Sequence, residues 1–253
     1  MRIFNGPVTP LRPRGRTPYE IKARDSVGEV YLYDVIGDSW EGTTGKQFAQ
    51  DLKAIGDVAV LNVYINSPGG SVFDGVAIHN VLRRHKARKI VQIDGIAASI
   101  ASVIAMAGDE INIAENGMMM IHDPWAIAMG TAAEFRKMAD SLDKVRDAIL
   151  TSYVDRSTST EDQLSAWMAE ETWFTAEEAV EAGLADAVSG AVTMAAFAGV
   201  DLTPFKHVPD GLAEAVTQED PETSKGGGTH SAVSLMHARL IKRGLNDRQG
   251  QPA

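Results

Sequence analysis

The chain has 253 residues, of which 44% are hydrophobic and 23% charged, and it carries a formal net charge of −10. The absence of cysteine excludes disulfides, thiolate metal sites and a cysteine nucleophile, and the acidic balance argues against a nucleic-acid-binding surface, which needs clustered lysine and arginine. No apolar stretch reaches the roughly 18 residues of a membrane span and no signal-peptide core is visible, so we expect a cytoplasmic protein that binds neither nucleic acid nor membrane.

The N-terminal region, residues 1–18, is predicted to be an extended basic arm. Its first 16 positions hold three prolines and four arginines. Prolines at this density do not build a helix or a central strand. The same features also fit an ordinary solvated terminus.

Between residues 29 and 122, apolar runs alternate with helical periodicities. β-Branched and aromatic runs predict strands over 29–36, 58–65, 89–93, 110–113 and 118–122. Apolar residues spaced three or four apart predict helices over 44–54, 72–86 and 98–107. This order predicts an α/β fold built from stacked strand–helix units.

A long helix is predicted over 131–156, opened by a capping box at Thr131. Its apolar stripe fits either the chain's own core or self-association. Two shorter helices follow, with capping patterns at Thr160 and Thr175, and Gly183 is suited to end the second. Farther on, residues 218–229 indicate a glycine-rich linker and residues 231–244 a short amphipathic helix.

The candidate chemistry centres on Ser99 and His122. Ser99 falls where a strand turns into a helix start, a position that offers free N–H groups and a favourable dipole. His122 closes an apolar strand. The pair Gly69 and Gly70 lets the backbone approach a ligand and turn N–H groups toward an oxyanion. Taken alone, each of these residues also fits a structural role, as a helix cap, a turn histidine or a strand-ending turn.

Together these residues lie in four ordered blocks: INSPGG at 65–70, GIAAS at 95–99, MIHDP at 120–124 and TAEEAVEAGLAD at 175–186. The blocks resemble those of the Clp protease proteolytic subunit (ClpP) family, in order and in spacing, over about residues 28–190. The resemblance implies a ClpP/crotonase-like α/β fold of stacked ββα units with a protruding handle helix. We expect three regions: the arm 1–18, a protease domain over 19–192, and a C-terminal extension over 193–253.

The resemblance also implies roles for individual residues. Ser99 matches the nucleophile and His122 the general base. The N–H groups of Gly70 and Ile100 match the oxyanion hole. Substrate contacts are expected from Gly69 and Ser71.

The third member of the triad departs from the family, which usually has an aspartate there. In this chain the place falls on Glu171, whose longer side chain changes the geometry. Glu170 and Asp123 are the other nearby carboxylates. The chemistry implies no cofactor and no metal.

The implied activity is that of a serine endopeptidase which forms a ring-shaped homo-oligomer and cleaves protein or peptide substrates through an acyl-enzyme. The basic arm, the C-terminal extension and Trp173 resemble the head maturation proteases of tailed bacteriophages, which process capsid or scaffold proteins in the host cytoplasm or the assembling prohead. Two alternatives are a proteolytic subunit that works with a cellular AAA+ ATPase, and an inactive structural paralogue, which the glutamate at position 171 would fit.

Two further enzyme classes are less favoured. A crotonase-like acyl-CoA enzyme shares the fold and a two-amide oxyanion hole, but the pair Ser99 and His122 argues against it. A signal-peptide-peptidase relative with a serine–lysine pair would need a nearby lysine and a membrane anchor.

Overall fold

The computed structural model describes residues 19–37, 43–191, 202–209 and 212. The strands in these ranges are β1 (Tyr19–Arg24), β2 (Val27–Leu32), β3 (Val60–Ser67), β4 (Arg88–Ala98), β5 (Glu110–Ala114), β6 (Met118–Ile121), β7 (Thr172–Thr175) and β8 (Ala187–Ser189). The helices are α1 (Gly45–Ala54), α2 (Val72–Arg84), α3 (Ile100–Ala105), α4 (Ala132–Val154), α5 (Glu161–Glu170) and α6 (Ala176–Glu181).

The strands form one mixed sheet in the order β1-β2-β3-β4-β5-β8. The β1–β2 pair is antiparallel, and the pairings from β2 to β8 are parallel. The long central strand β4 has two partners on the same side: its first half pairs with β5 and its end pairs with β6, which in turn pairs antiparallel with β7. The structure therefore confirms the predicted α/β fold, whose central strands are the near-continuous apolar runs expected of buried parallel strands.

The main core lies between the sheet and its helices. Helix α3 is buried along its whole length, and α1 and α2 bury the apolar faces that contain Phe48 and Ile78. Helix α4 behaves differently, since its buried residues are Ile149, Leu150 and Tyr153, all near its C-terminal end. Phe135, at its other end, is 50% exposed. Most of this helix therefore protrudes from the core, as the predicted handle helix should.

The capping signals fix several helix ends. Thr131 and Thr175 form complete capping boxes with Glu134 and Glu178, so the predicted starts of α4 and α6 are confirmed. Thr160 caps α5 by accepting from the Gln163 N–H. Gly183, just after α6, has a φ of 70°, which a glycine adopts without strain.

The predicted boundary between the strand at 89–93 and the helix at 98–107 is wrong. Strand β4 continues through Gly95 to Ala98, and the helix begins at Ile100. Ala97 lies opposite Ser67 of β3, and Ala98 lies opposite Met120 of β6. Backbone pairing on both sides therefore overrides the weak helix preference of two alanines.

The described residues also extend past the predicted end of the protease domain at 192. Leu202 and Leu212 are buried in a second apolar cluster on the sheet with Ile96, Ala98, Met118 and Met120. The predicted division thus separates segments that contact each other. The arm 1–18, the linker 218–229 and the helix 231–244 lie outside the described residues. No helix among the described residues is long and apolar enough to cross a membrane.

Candidate active site

Ser99 lies where the chain leaves β4 and enters α3. Its φ of 55° and ψ of −130° belong to a region that few non-glycine residues occupy. The turn is tied to β6, because the Ser99 N–H donates to the carbonyl of Met120 at 2.9 Å. The Ser99 side chain does not cap α3. Its hydroxyl points instead to the histidine that follows β6.

The Ser99 Oγ lies 2.7 Å from Nε2 of His122. Strands β4 and β6 are parallel, with Ala98 opposite Met120, so the residues that follow them emerge at the same edge of the sheet. At this distance the imidazole can accept the hydroxyl proton as the oxygen attacks a carbonyl. The structure therefore brings together the predicted nucleophile and the predicted base.

Glu171 supplies the carboxylate that acts on His122. It ends α5 in the left-handed conformation, with a φ of 53°, and its side chain is buried. Its Oε1 accepts hydrogen bonds from the backbone N–H groups of Lys206 at 2.6 Å and His207 at 2.7 Å. These are its hydrogen bonds within the described part of the chain, and its effect on the imidazole is electrostatic: the carboxylate raises the pKa of His122.

The two alternative carboxylates are placed elsewhere. Asp123 pairs with Arg146 of α4, whose Nε lies 3.1 Å from Oδ1. Glu170 is exposed, and its carbonyl accepts a hydrogen bond from Nδ1 of His207 at 2.7 Å. Among the three candidates, Glu171 is therefore the one whose charge reaches His122.

Burial dominates the electrostatics of the base. The desolvated environment lowers the pKa of His122 to about 4, against the opposing charge of Glu171 and with a smaller contribution from Lys206. His122 is consequently neutral at pH 7, which is the state that a general base needs.

The backbone around Gly70 is shaped for close approach to Ser99. A Cβ on Gly69, which has a φ of 93°, would lie 2.7 Å from the Ser99 Cβ and 3.1 Å from the Ile100 nitrogen. A Cβ on Gly70 would lie 2.1 Å from the Ile36 carbonyl oxygen. Among the hydrogen bonds between described residues, the N–H groups of Gly70 and Ile100 have no acceptor. Both N–H groups are therefore free to donate to an oxyanion, and their assignment to the oxyanion hole stays a prediction.

The neighbouring polar groups are used within the chain. The Ser71 N–H donates to the Ile36 carbonyl at 2.7 Å, and its hydroxyl caps α2. The Gly69 carbonyl accepts from the Ile36 N–H at 2.8 Å. The substrate contacts expected from Gly69 and Ser71 stay a prediction.

A small open cavity adjoins Ser99. Its wall is mostly apolar and consists of Val72, Ser99, Ile100, Val103, His122, Pro124, Ile149 and Tyr153. Behind this wall, Ser102 Oγ donates to the Ser99 carbonyl at 2.5 Å and lies 2.8 Å from the Tyr153 hydroxyl. The surface on this side of Ser99 is therefore mostly apolar.

Comparison with known proteins places this site in a family. The sequence profile described as Clp protease matches residues 35–191, which is more than half of the chain. The chain belongs to the Clp protease family. All four blocks that carry the resemblance, from 65–70 to 175–186, lie within the matched range.

Three relatives of this Clp protease family member are named ATP-dependent Clp protease proteolytic subunit. The protein of Bacteroides fragilis is 33% identical over 130 residues, which cover 51% of this chain and 63% of the relative. That of Ligilactobacillus salivarius is 34% identical over 128 residues, covering 50% and 65%. That of Chlorella vulgaris is 34% identical over 131 residues, covering 51% and 65%. The chain thus spans slightly less than two thirds of the length of these relatives.

Sequence reasoning missed two parts of the site in this Clp protease family member. The first is the cavity wall from the end of α4, Ile149 and Tyr153, for which the apolar stripe of the predicted helix was the available signal. The second is the segment 202–209, which lies outside the family match. Phe205 of this segment contacts the imidazole of His122, with ring centroids 5.6 Å apart. No spacing or motif in the sequence indicates that contact.

Proposed function

We propose that this Clp protease family member is a serine endopeptidase that cleaves peptide bonds through an acyl-enzyme. The observation that carries the proposal is the 2.7 Å contact between Ser99 Oγ and His122 Nε2 beside an apolar cavity. The matched family and the names of the relatives support it.

The proposed reaction uses the side chains in sequence. His122 Nε2 takes the Ser99 proton as Oγ bonds to the scissile carbonyl carbon, and the resulting oxyanion accepts hydrogen bonds from the Gly70 and Ile100 amides. The imidazolium gives its proton to the leaving amine as the C–N bond breaks. His122 then deprotonates a water that attacks the acyl carbon, and the imidazolium returns this proton to Ser99 Oγ as the ester bond breaks. The Glu171 carboxylate stabilises the imidazolium in both halves of the reaction.

The cavity suggests a preference at the residue whose carbonyl is attacked. Val72, Val103 and Ile149 give this small cavity an apolar lining. We therefore expect an apolar side chain at this position of the substrate. Charged side chains are disfavoured because they would lose their hydration there.

Active-serine labelling tests the proposal. The full-length protein, Ser99→Ala and the matched control Ser141→Ala are treated with a fluorophosphonate and measured by intact-mass spectrometry. Ser141 is exposed on α4, where its hydroxyl donates to the Lys137 carbonyl. We expect one adduct on the wild type and the control and none on Ser99→Ala. A folded wild type that takes no adduct would support the inactive structural paralogue instead.

The biological setting is a finer part of the proposal. The basic arm 1–18, the extension 193–253 and Trp173 favour processing of capsid or scaffold proteins during phage head maturation, in the host cytoplasm or the prohead. The names of the relatives favour the alternative, a proteolytic subunit that works with an AAA+ ATPase. Trimming of the chain's own C-terminal region only when Ser99 is present would support the first; degradation of a folded substrate only with an added Clp ATPase and ATP would support the second.

Ring assembly is also proposed. The protruding α4 and its exposed Phe135 offer a surface for a second copy. Light scattering should find an oligomer, and a strict monomer at micromolar concentration would exclude a ring.

A further inference from the structure

Residues 202–209, here called the C-terminal strap, follow the part of the chain that the family profile matches. The strap is anchored at its start by Leu202, which is 5% exposed, and Val208 near its end packs on the same apolar cluster. The residues beneath it are Ile96 and Ala98 of β4 and Met118 and Met120 of β6. The strap therefore covers the ends of the two strands that lead to Ser99 and His122.

The strap holds the carboxylate of Glu171 through two main-chain donors. The N–H groups of Lys206 and His207 both bond to Oε1, at 2.6 and 2.7 Å. Glutamate has one more rotatable bond than the aspartate usual in the family, so its carboxylate needs more support to keep one orientation. Two converging hydrogen bonds to one oxygen supply that support and leave the charge close enough to act on His122.

Phe205 contacts the second side chain that the strap supports, the imidazole of His122. Its ring meets the imidazole of His122 edge to face, with centroids 5.6 Å apart and planes at 80°. The same ring meets Trp173 of β7 at 5.8 Å and 81°. Phe205 thus contacts both His122 and Trp173, and its ring helps to exclude water from the imidazole.

The strap lies outside the cavity beside Ser99. None of its eight described residues lines the cavity beside Ser99. The bond from His207 Nδ1 to the Glu170 carbonyl holds it against the end of α5. An inhibitory segment would fill the cavity, so the geometry favours a positioning role.

We propose that the C-terminal strap is a positioning element of the active site, which fixes the Glu171 carboxylate and the His122 imidazole in the arrangement that activates Ser99. The inference rests on the proposed function, because positioning matters only if Ser99 is the nucleophile. Its residues are positioning residues, since they act through Glu171 and His122 and not on the substrate.

The main test removes one donor and keeps the rest of the chain. His207→Pro eliminates the N–H that bonds to Glu171, whereas His207→Ala keeps it and removes only the ring. Rates of Ser99 labelling and of peptide hydrolysis are measured on full-length proteins. We expect His207→Pro to lower kcat at least about tenfold more than His207→Ala, with KM little changed. Equal losses in the two variants would overturn the assignment.

A double-mutant cycle asks whether the effect passes through Glu171. In a Glu171→Gln background, the factor by which His207→Pro lowers kcat should be less than half of the factor in the wild-type background. A full additional loss would mean that the proline acts by general disruption, and the positioning role would be rejected.

Phe205 gives a readout that does not depend on activity. Histidine NMR follows the titration of His122, assigned with His122→Gln, in the wild type and in Phe205→Leu and Phe205→Ala. The charges that act on this imidazole are Glu171 and Lys206, and neither variant changes them. We expect the His122 titration to move upward in Phe205→Ala and less in Phe205→Leu. An unchanged titration in both would overturn the role of Phe205, even if the wild type hydrolyses peptides. If the wild type takes no fluorophosphonate adduct but the His122 titration still shifts in the Phe205 variants, the proposed protease activity is refuted and the role of Phe205 is not.

Discussion

The pH dependence of hydrolysis is the most direct consequence of the buried base. Ordinary histidine has a pKa near 6.5, whereas burial lowers the pKa of His122 to about 4. At pH 5 a base with a pKa of about 4 is roughly 90% neutral, and one with a pKa of about 6.5 is roughly 3% neutral. The proposed enzyme should therefore keep most of its kcat/KM at pH 5, about 30-fold more than an unperturbed histidine would allow.

Two charge variants should move the acidic limb of the pH profile of kcat/KM in opposite directions. The Glu171 carboxylate raises the pKa of His122 and the Lys206 ammonium lowers it. Glu171→Gln should therefore shift the limb to lower pH, besides lowering the rate, and Lys206→Met should shift it to higher pH. Because Lys206 is exposed, the shift of the limb caused by Lys206→Met should become smaller as salt is added.

The assay is kcat/KM for a short fluorogenic peptide with an apolar residue before the scissile bond, measured between pH 4 and 8. Circular dichroism at each pH shows that the protein is folded. A wild-type limb near pH 6.5 would refute the reasoning from burial. Shifts of the same sign in the two variants would refute the assignment of Glu171 and Lys206 as the charges that act on the base.

The folding control matters because the same pKa shift affects stability. His122 binds its proton less tightly in the folded chain than in the unfolded chain. The part of the unfolding free energy that comes from neutral His122 is therefore complete above pH 6.5, and it is lost as the pH falls toward 4. The loss amounts to about 3 kcal/mol of unfolding free energy at the acid end. Chemical denaturation at pH 7.5 and pH 4.5 should show a decrease of this order.

Two substitutions test other parts of the site. Gly70→Ala places a Cβ 2.1 Å from the Ile36 carbonyl oxygen and should lower kcat at least about 100-fold by displacing an oxyanion donor. Gly56→Ala, also at positive φ but with open space around it, should cost only about 1 kcal/mol of stability, so similar rate losses in both would contradict the role of Gly70. Tyr153→Phe removes the hydroxyl beside Ser102 and should lower the urea-unfolding free energy by about 1–2 kcal/mol; an unchanged midpoint would show that this bond adds nothing.

The sequence alone predicted the strands and helices whose local residue pattern agrees with their surroundings in the fold. The apolar runs that became β3, β5 and β6, and the capping threonines Thr131 and Thr175, predicted their elements to within about two residues. The parallel strands also explain why Ser99 and His122 meet, since each follows a strand at the same edge of the sheet.

Three features depended on partners that are distant in the chain. Strand β4 extends to Ala98 because β3 and β6 pair with it, which local propensity does not encode. Strand β7 is recognisable only as the partner of β6. Phe205 reaches His122 across 83 positions of sequence, and neither periodicity nor a motif links the two.

The backbone at Ser99 has a consequence for how such proteins change over time. A φ of 55° with a ψ of −130° suits glycine, and another residue there is strained by about 1–3 kcal/mol. Replacing the serine by glycine would relieve that strain and abolish hydrolysis. Selection for folding stability and selection for catalytic activity therefore oppose each other at this position. A relative that no longer needed hydrolysis would gain robustness by losing its nucleophile. Glycine in this place would then mark a subunit retained for its shape.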